Sequence, residues 1–190
     1  MRKIITSIVL VSSFLMIGNI TTSCSKVEDI IDDISVPIPF TIPLNFETTI
    51  PFATANTTEL VPYPEVPVNI DVDSKIKEKY PSLSINNLKS AKLDNFSIES
   101  VATGSTINLD AIKDAEIWFK TPDKPEVKIA TATGNANPTN INFTPEPNVN
   151  LIDYLKSKQN SVILKIRGSR IDAGTMKIKV NAGFKIEVGL

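Results

Sequence analysis

Between Val36 and Phe52 the chain reads VPIPFTIPLNFETTIPF, with Ile38, Phe40, Ile42, Leu44, Phe46, Ile50 and Phe52 on even numbers and Pro37, Pro39, Pro43 and Pro51 on odd ones. In an extended strand, successive side chains point to opposite faces, and the backbone groups of successive residues point to opposite sides. Parity therefore sets face and neighbour together. A strand of this pattern buries its even face, keeps a full set of N–H donors toward one neighbour, and loses donors only on the other side. It is predicted to be an edge strand blunted by proline.

The same period of two recurs downstream. Val66, Val68, Ile70 and Val72 share one face of EVPVNIDV, and Val162, Leu164 and Ile166 one face of SVILKIRG. The last stretch alternates from Met176 through Ile178, Val180, Ala182, Phe184 and Ile186 to Val188, with Lys177, Lys179, Lys185 and Glu187 opposite and a bend predicted near Gly183. Further strands are predicted over 88–101, 115–120, 126–132 and 139–144. In the first of these the apolar parity changes between Leu93 and Phe96, which predicts a bulge or a crossing between sheets at Asp94 and Asn95. Two short helices are predicted, DSKIKEKY with Asp73 as its cap and Pro81 as its stop, and NVNLIDYLKSK. About eight strands and two short helices make an all-β fold, an antiparallel β-sandwich of immunoglobulin-like general shape. A barrel is the alternative, and a proline-blunted edge argues against closure.

Composition narrows the chemistry. The 190 residues carry 20 Lys and Arg against 21 Asp and Glu, so no global field recruits nucleic acid. There is no histidine, which removes the commonest general base near neutral pH, the commonest metal ligand and every Ser-His or Cys-His nucleophile pair. Asp71 and Asp73 flank Val72 without any loop spacing that would complete a Ca²⁺ site, and no metal or cofactor is expected. Trp118, the only tryptophan, takes the parity opposite to Ala115, Ile117 and Phe119. With the odd residues in the core, its indole faces outward, to stack on a sugar or anchor a partner. If the sheet is covered on both faces, it is packed instead. The loop TATGNANPTN, 131–140, offers Asn135 and Asn137 as carbohydrate contacts and reads equally as a solvated turn. Tyr63 is a second aromatic candidate, and Arg167 with Arg170 is a weak anion signal around a turn.

The N-terminus supplies an address. Arg2 and Lys3 precede an apolar run from Ile4 to Ile17, which has the layout of a secretory signal peptide and is short of the roughly 20 residues of a spanning helix. Small residues follow in GNITTSC, and the run stops at Cys24, the only cysteine. Here the chain resembles the bacterial lipoprotein class, in particular lipoproteins of the Bacteroidota. The resemblance implies cleavage before Cys24, acylation of that residue (palmitate among the acyl groups) and attachment to the outer membrane, on the periplasmic or the cell-surface side. Residues 1–23 are then the leader and 24–36 an acidic tether, CSKVEDIIDDISV, whose Val27, Ile30, Ile31 and Ile34 also fit a short amphipathic helix. The β-sandwich domain occupies 37–190. Loss of the leader leaves 18 basic against 21 acidic side chains. The function expected is a non-enzymatic binding or scaffolding module held at the membrane through Cys24, with an envelope protein or a glycan as partner. The alternative is a carbohydrate-binding accessory lipoprotein. A hydrolase built on two carboxylates is the remaining enzymatic option.

Overall fold

The even-odd pattern of the first strand is realised residue by residue. The computed structural model describes residues 37–53, 58–101, 108–168 and 173–189. The leader, Cys24, the tether through residue 36 and Arg170 lie outside these. Strand β1 (Ile38–Ala53) pairs antiparallel with β9 (Ala173–Val188) in unbroken register from Ile38↔Val188 to Ala53↔Ala173, and with no other strand among the described residues. From 37 to 50 every odd residue is exposed and every even one is buried or half-buried. The prolines stand on the open side, where no ladder bond is forgone, so β1 is the edge strand that its parity predicts.

The intervening strands are β2 (Val61–Pro62), β3 (Val66–Val68), β4 (Leu88–Ser100), β5 (Ile112–Thr121), β6 (Lys124–Ala132), β7 (Asn140–Pro145) and β8 (Asn160–Gly168). All pairings are antiparallel, in the order β1-β9-β4-β7-β6-β5-β8-β2, with β3 also on β8. The β6–β7 ladder is only Ala130↔Pro145 and Thr131↔Thr144, and the sheet curls at this corner so that its two halves face each other. Phe119 of β5 meets Phe184 of β9 across the layer, ring centroids 5.9 Å apart. A residual void of about 20 Å³ between the halves is lined by Phe96, Ile98 and Val180 from one side and Ile117, Val162 and Leu164 from the other. The fold is thus all-β, antiparallel and sandwich-like, its two faces continuous through one corner.

Nine strands stand among the described residues where about eight are predicted. The extra one, β2, is two residues long and carries no period to detect. In β4 the buried residues run Leu88, then Ala91 and Leu93, then Phe96 and Ile98, and the register against β9 shifts twice, at 88/90 and at 93/95. The second shift is the predicted bulge. Gly183 faces it, and a Cβ built there would lie 2.7 Å from Asn95 Nδ2 and 3.1 Å from Thr41 Cγ2.

The predicted strand 65–72 is corrected. It ends at Val68, because Asp71 caps helix α1 (Val72–Lys79) by accepting from the Ser74 N–H at 3.0 Å and the Ser74 hydroxyl at 2.7 Å. Asp73, the expected cap, lies inside the first turn and accepts instead from the Ile85 N–H at 2.8 Å and from Lys77 at 2.6 Å. Helix α2 (Ile152–Leu155) is a single turn, docked by the Leu151 N–H on the Ala91 carbonyl at 2.7 Å.

Candidate functional site

Strand β5 alternates as predicted, with Ala115, Ile117 and Phe119 fully buried and Glu116, Trp118 and Lys120 on the outer face. The β8 register sets Glu116 opposite Lys165 and Trp118 opposite Ile163, and the β6 register sets Trp118 opposite Lys128. Ile163 is 5% exposed yet stands outside the core cluster, on the face that Trp118 occupies. Around this small apolar centre runs a lattice of ions. The Lys165 ammonium sits 3.7 Å from the indole centroid and 2.6 Å from Glu126, Lys128 lies 3.4 Å from both Glu116 and Glu146, and Lys120 pairs with Glu65. The negative charge of Glu116, outweighing the desolvation of the ammonium, raises the Lys128 pKa. The indole N–H donates to Glu116 at 2.9 Å. Trp118 is therefore half-buried, with one ring face capped by a cation and its polar edge committed. A sugar stacking on that face has to displace Lys165.

The other predicted binding residues have local structural partners. Tyr63 is 8% exposed and belongs to the core, while its N–H donates to Leu164 at 2.8 Å, so it presents no aromatic platform. The Asn135 side-chain amide donates to the carbonyls of Leu109 at 2.8 Å, Ile112 at 3.2 Å and Asn137 at 3.3 Å, and its oxygen accepts from the Asn137 N–H. The Asn137 oxygen accepts from the Thr139 N–H, the Thr139 hydroxyl and the Asn140 N–H. Asn135 staples the 131–140 loop to the start of β5, and Asn137 closes the loop on itself ahead of β7. Arg167 is held by Asp114, with Nε to Oδ2 at 2.8 Å. Burial pushes the Asp114 carboxyl up, but the Arg167 bonds, the Gly134 N–H and the nearby Arg167 and Lys113 charges outweigh it and leave the pKa below its ordinary 3.8.

Several recesses lie toward the end of the sandwich that carries α1 and α2, among them an open hollow of about 440 Å³ along Pro122, Asp153 and Lys158. The first, about 500 Å³, is lined by Asp71, Asp73, Ser84 and Lys158 among others. Its polar groups are largely paired already. The Ser74 N–H and hydroxyl lower the Asp71 pKa, Lys77 and the Ile85 N–H lower that of Asp73, and Ser84 closes a capping box with Asn87. Among the described residues no group of three or more His, Cys, Asp or Glu is placed to hold a metal.

The second recess, about 360 Å³, lies at the end of the β5–β8 ladder and is lined by Thr121 and Asn160. These are 2% and 3% exposed, the only buried polar residues among those described. Each leaves one oxygen unpartnered, Thr121 Oγ1 and Asn160 Oδ1. The sequence carries a signal for this pair that its reading passed over: Thr121 continues the inward parity of Ile117 and Phe119, and Asn160 that of Val162 and Leu164.

No protein-family model and no curated protein matches the chain. Among solved structures it is similar to a chain of Desmodium yellow mottle tymovirus, at 8% identity over 94% of this chain and 96% of that one, with a TM-score of 0.26. It is also similar to a chain of turnip yellow mosaic virus, at 14% identity over 80% and 96%, with a TM-score of 0.25. At these scores the likeness carries no argument about function.

Proposed function

We propose that the chain is a bacterial envelope lipoprotein, anchored to the outer membrane through acylated Cys24, whose β-sandwich domain is a non-enzymatic binding or scaffolding module. The observation that carries the anchor is the sole cysteine standing directly after a charged, apolar and small-residue leader. Acyl chains on Cys24 confine the domain to a surface and raise its effective concentration toward membrane partners without demanding strong intrinsic affinity. The non-enzymatic reading draws support from five of the carboxylates. The pKa values of Glu47, Asp71, Asp73, Glu78 and Asp114 are all lowered, the direction of a paired carboxylate and opposite to that of a general acid.

The test has two readouts in cells of the source organism. Labelled palmitate enters the wild-type chain and not Cys24→Ala, and absence of label from both removes the anchor. Protease added to intact cells then digests the domain if it stands on the cell surface, and spares it until the outer membrane is opened if it faces the periplasm.

A further inference from the structure

The register around β9 locates the backbone groups of β1 that are spare. The Val101 N–H donates to the Lys177 carbonyl at 2.9 Å and the Gly189 N–H to the Asn87 carbonyl at 3.0 Å, so the odd residues along β9 turn their backbone groups toward β4. The even ones turn theirs toward β1. Because β1 and β9 pair even with even, as in Leu44↔Ala182 and Phe46↔Val180, the odd residues of β1 point their N–H and C=O groups away from β9. No strand pairs with that side among the described residues. Proline removes the donor at 37, 39, 43 and 51, and Thr41 stands alone between two of these. Asn45, Glu47 and Thr49 are different. They place three successive outward donors, each beside an outward carbonyl, in the window between Pro43 and Pro51, and all three residues are exposed.

The side chains beneath this window are incompletely covered. On the inner face Phe40, Ile42 and Ile50 are buried, whereas Leu44, Phe46 and Thr48 between them are half-buried, as is Val66 of β3. Phe46, Thr48 and Val66 all line the small void between the halves of the sandwich, so the seam between β1 and β3 is apolar. Cover is thinnest where the backbone groups are spare.

Donors and acceptors repeating every two residues, about 7 Å apart, are matched by the backbone of another extended chain. The side chains of such a chain alternate as well. Those on the inner face lie beside Leu44, Phe46 and Thr48 and extend the apolar seam, and those on the outer face lie beside Asn45, Glu47 and Thr49. Glu47 is central and half-exposed, its carboxylate 2.7 Å from Lys177. Charge complementarity calls for a basic or neutral residue opposite it. A second copy of the chain fails that requirement, because antiparallel pairing of two windows, Pro43 against Pro51, sets Glu47 against Glu47.

We propose that the edge of β1 between Pro43 and Pro51 binds a short extended segment of a different polypeptide. It adds as a strand along Asn45, Glu47 and Thr49, with apolar residues at alternate positions and a basic residue opposite Glu47. The assignment of a peptide partner rests on the reading of the domain as a binding module. It is independent of Cys24, so it can fail while the anchor stands, and the reverse.

The experiment titrates the full-length chain into three fluorescein-labelled peptides, Ser-Thr-X-Lys-X-Thr-Ser with X as Val, Ile or Phe, and reads anisotropy. At least one is expected to bind, and exchanging its Lys for Glu weakens it about three- to tenfold. Asn45→Pro removes one outward donor and no bond of the β1–β9 ladder. It is expected to weaken the peptide about three- to tenfold, while Asn45→Ala, which keeps the N–H, binds as the wild type does. Hydrogen exchange reads the place even if the proline variant fails to fold: saturating peptide slows the amides of Asn45, Glu47 and Thr49 about tenfold or more and leaves Thr41 unchanged. Four results overturn the proposal. No peptide binds up to about 1 mM; a peptide binds wild type and a folded Asn45→Pro alike; a peptide binds while the three amides keep their exchange rates; or the three amides are already protected without peptide in a chain that sediments as a dimer, which makes this edge an interface between copies.

Discussion

Single side chains in this domain serve mainly as fasteners, and their removal has readable costs. Asn135→Ala leaves the carbonyls of Leu109 and Ile112 without their shared donor. It is expected to lower stability by about 1–3 kcal/mol in denaturant unfolding, whereas Asn137→Asp, which keeps its accepting oxygen, stays near wild type. Asp114 should impose a pH dependence. Its folded pKa lies below the ordinary 3.8, so its contribution is whole above that value and is lost as pH falls through the lower, folded one. Asp114→Asn then costs about 1 kcal/mol at neutral pH, the half-exposed Arg167 limiting the loss, and flattens the acid limb of the stability curve below pH 3.8. A variant whose acid limb keeps the wild-type slope would assign that limb to other groups. At Gly183→Ala the 2.7 Å clash falls on the end of the exposed Asn95 side chain, which swings aside, and Thr41 Cγ2 at 3.1 Å has to give by a few tenths of an ångström, so the change is expected to cost about 1–2 kcal/mol in denaturant unfolding.

At the level of elements, parity was the legible quantity. The alternation of β1, β5, β8 and β9 could be read directly because each has one buried face, and the β4 bulge announced itself as a break in that alternation. What stayed hidden has a common cause: short segments carry too few residues for a period. β2 and the truncation of β3 belong here, as does the helix start at Asp71, where two aspartates competed and the one with Ser74 three residues on prevailed. The site candidates were less legible than the fold. Sequence points to residue types able to bind, Trp118, Tyr63, Asn135 and Asn137, but their use is decided by neighbours from distant segments, Lys165 over the indole and the Leu109 and Ile112 carbonyls on the amide. The edge assignment of β1 predicts a hydrogen-exchange pattern. Amides of even residues 38–50 should be protected and those of Thr41, Asn45 and Glu47 should exchange faster, with uniform protection counting against it. Replacing Pro39 and Pro43 by Thr restores donors to the open side, and concentration-dependent dimers should then appear in size-exclusion chromatography while the wild type elutes as before.

Seen whole, the domain is one antiparallel path whose strand order does not follow the chain. β9, last in sequence, lies between β1 and β4 and supplies Met176, Ile178, Val180, Phe184, Ile186 and Val188 to the core, each 4% exposed or less. A chain ending at Gly168 therefore leaves β1 with no neighbour and strips Phe184 from Phe119 and Ile178 and Val180 from the layer opposite Ile117. It is expected to show no cooperative thermal transition, where deletion of a peripheral strand would only lower the midpoint. The same placement governs how the fold is reached. Ile38 finds Val188 only after nearly the whole chain has been made, and contacts of such long sequence separation put folding in the range of milliseconds to seconds. Throughout that interval β1 waits with its apolar face and one set of donors open. Its prolines then matter most before the native state exists, when they keep a waiting strand from being captured along its second side by another unfinished chain.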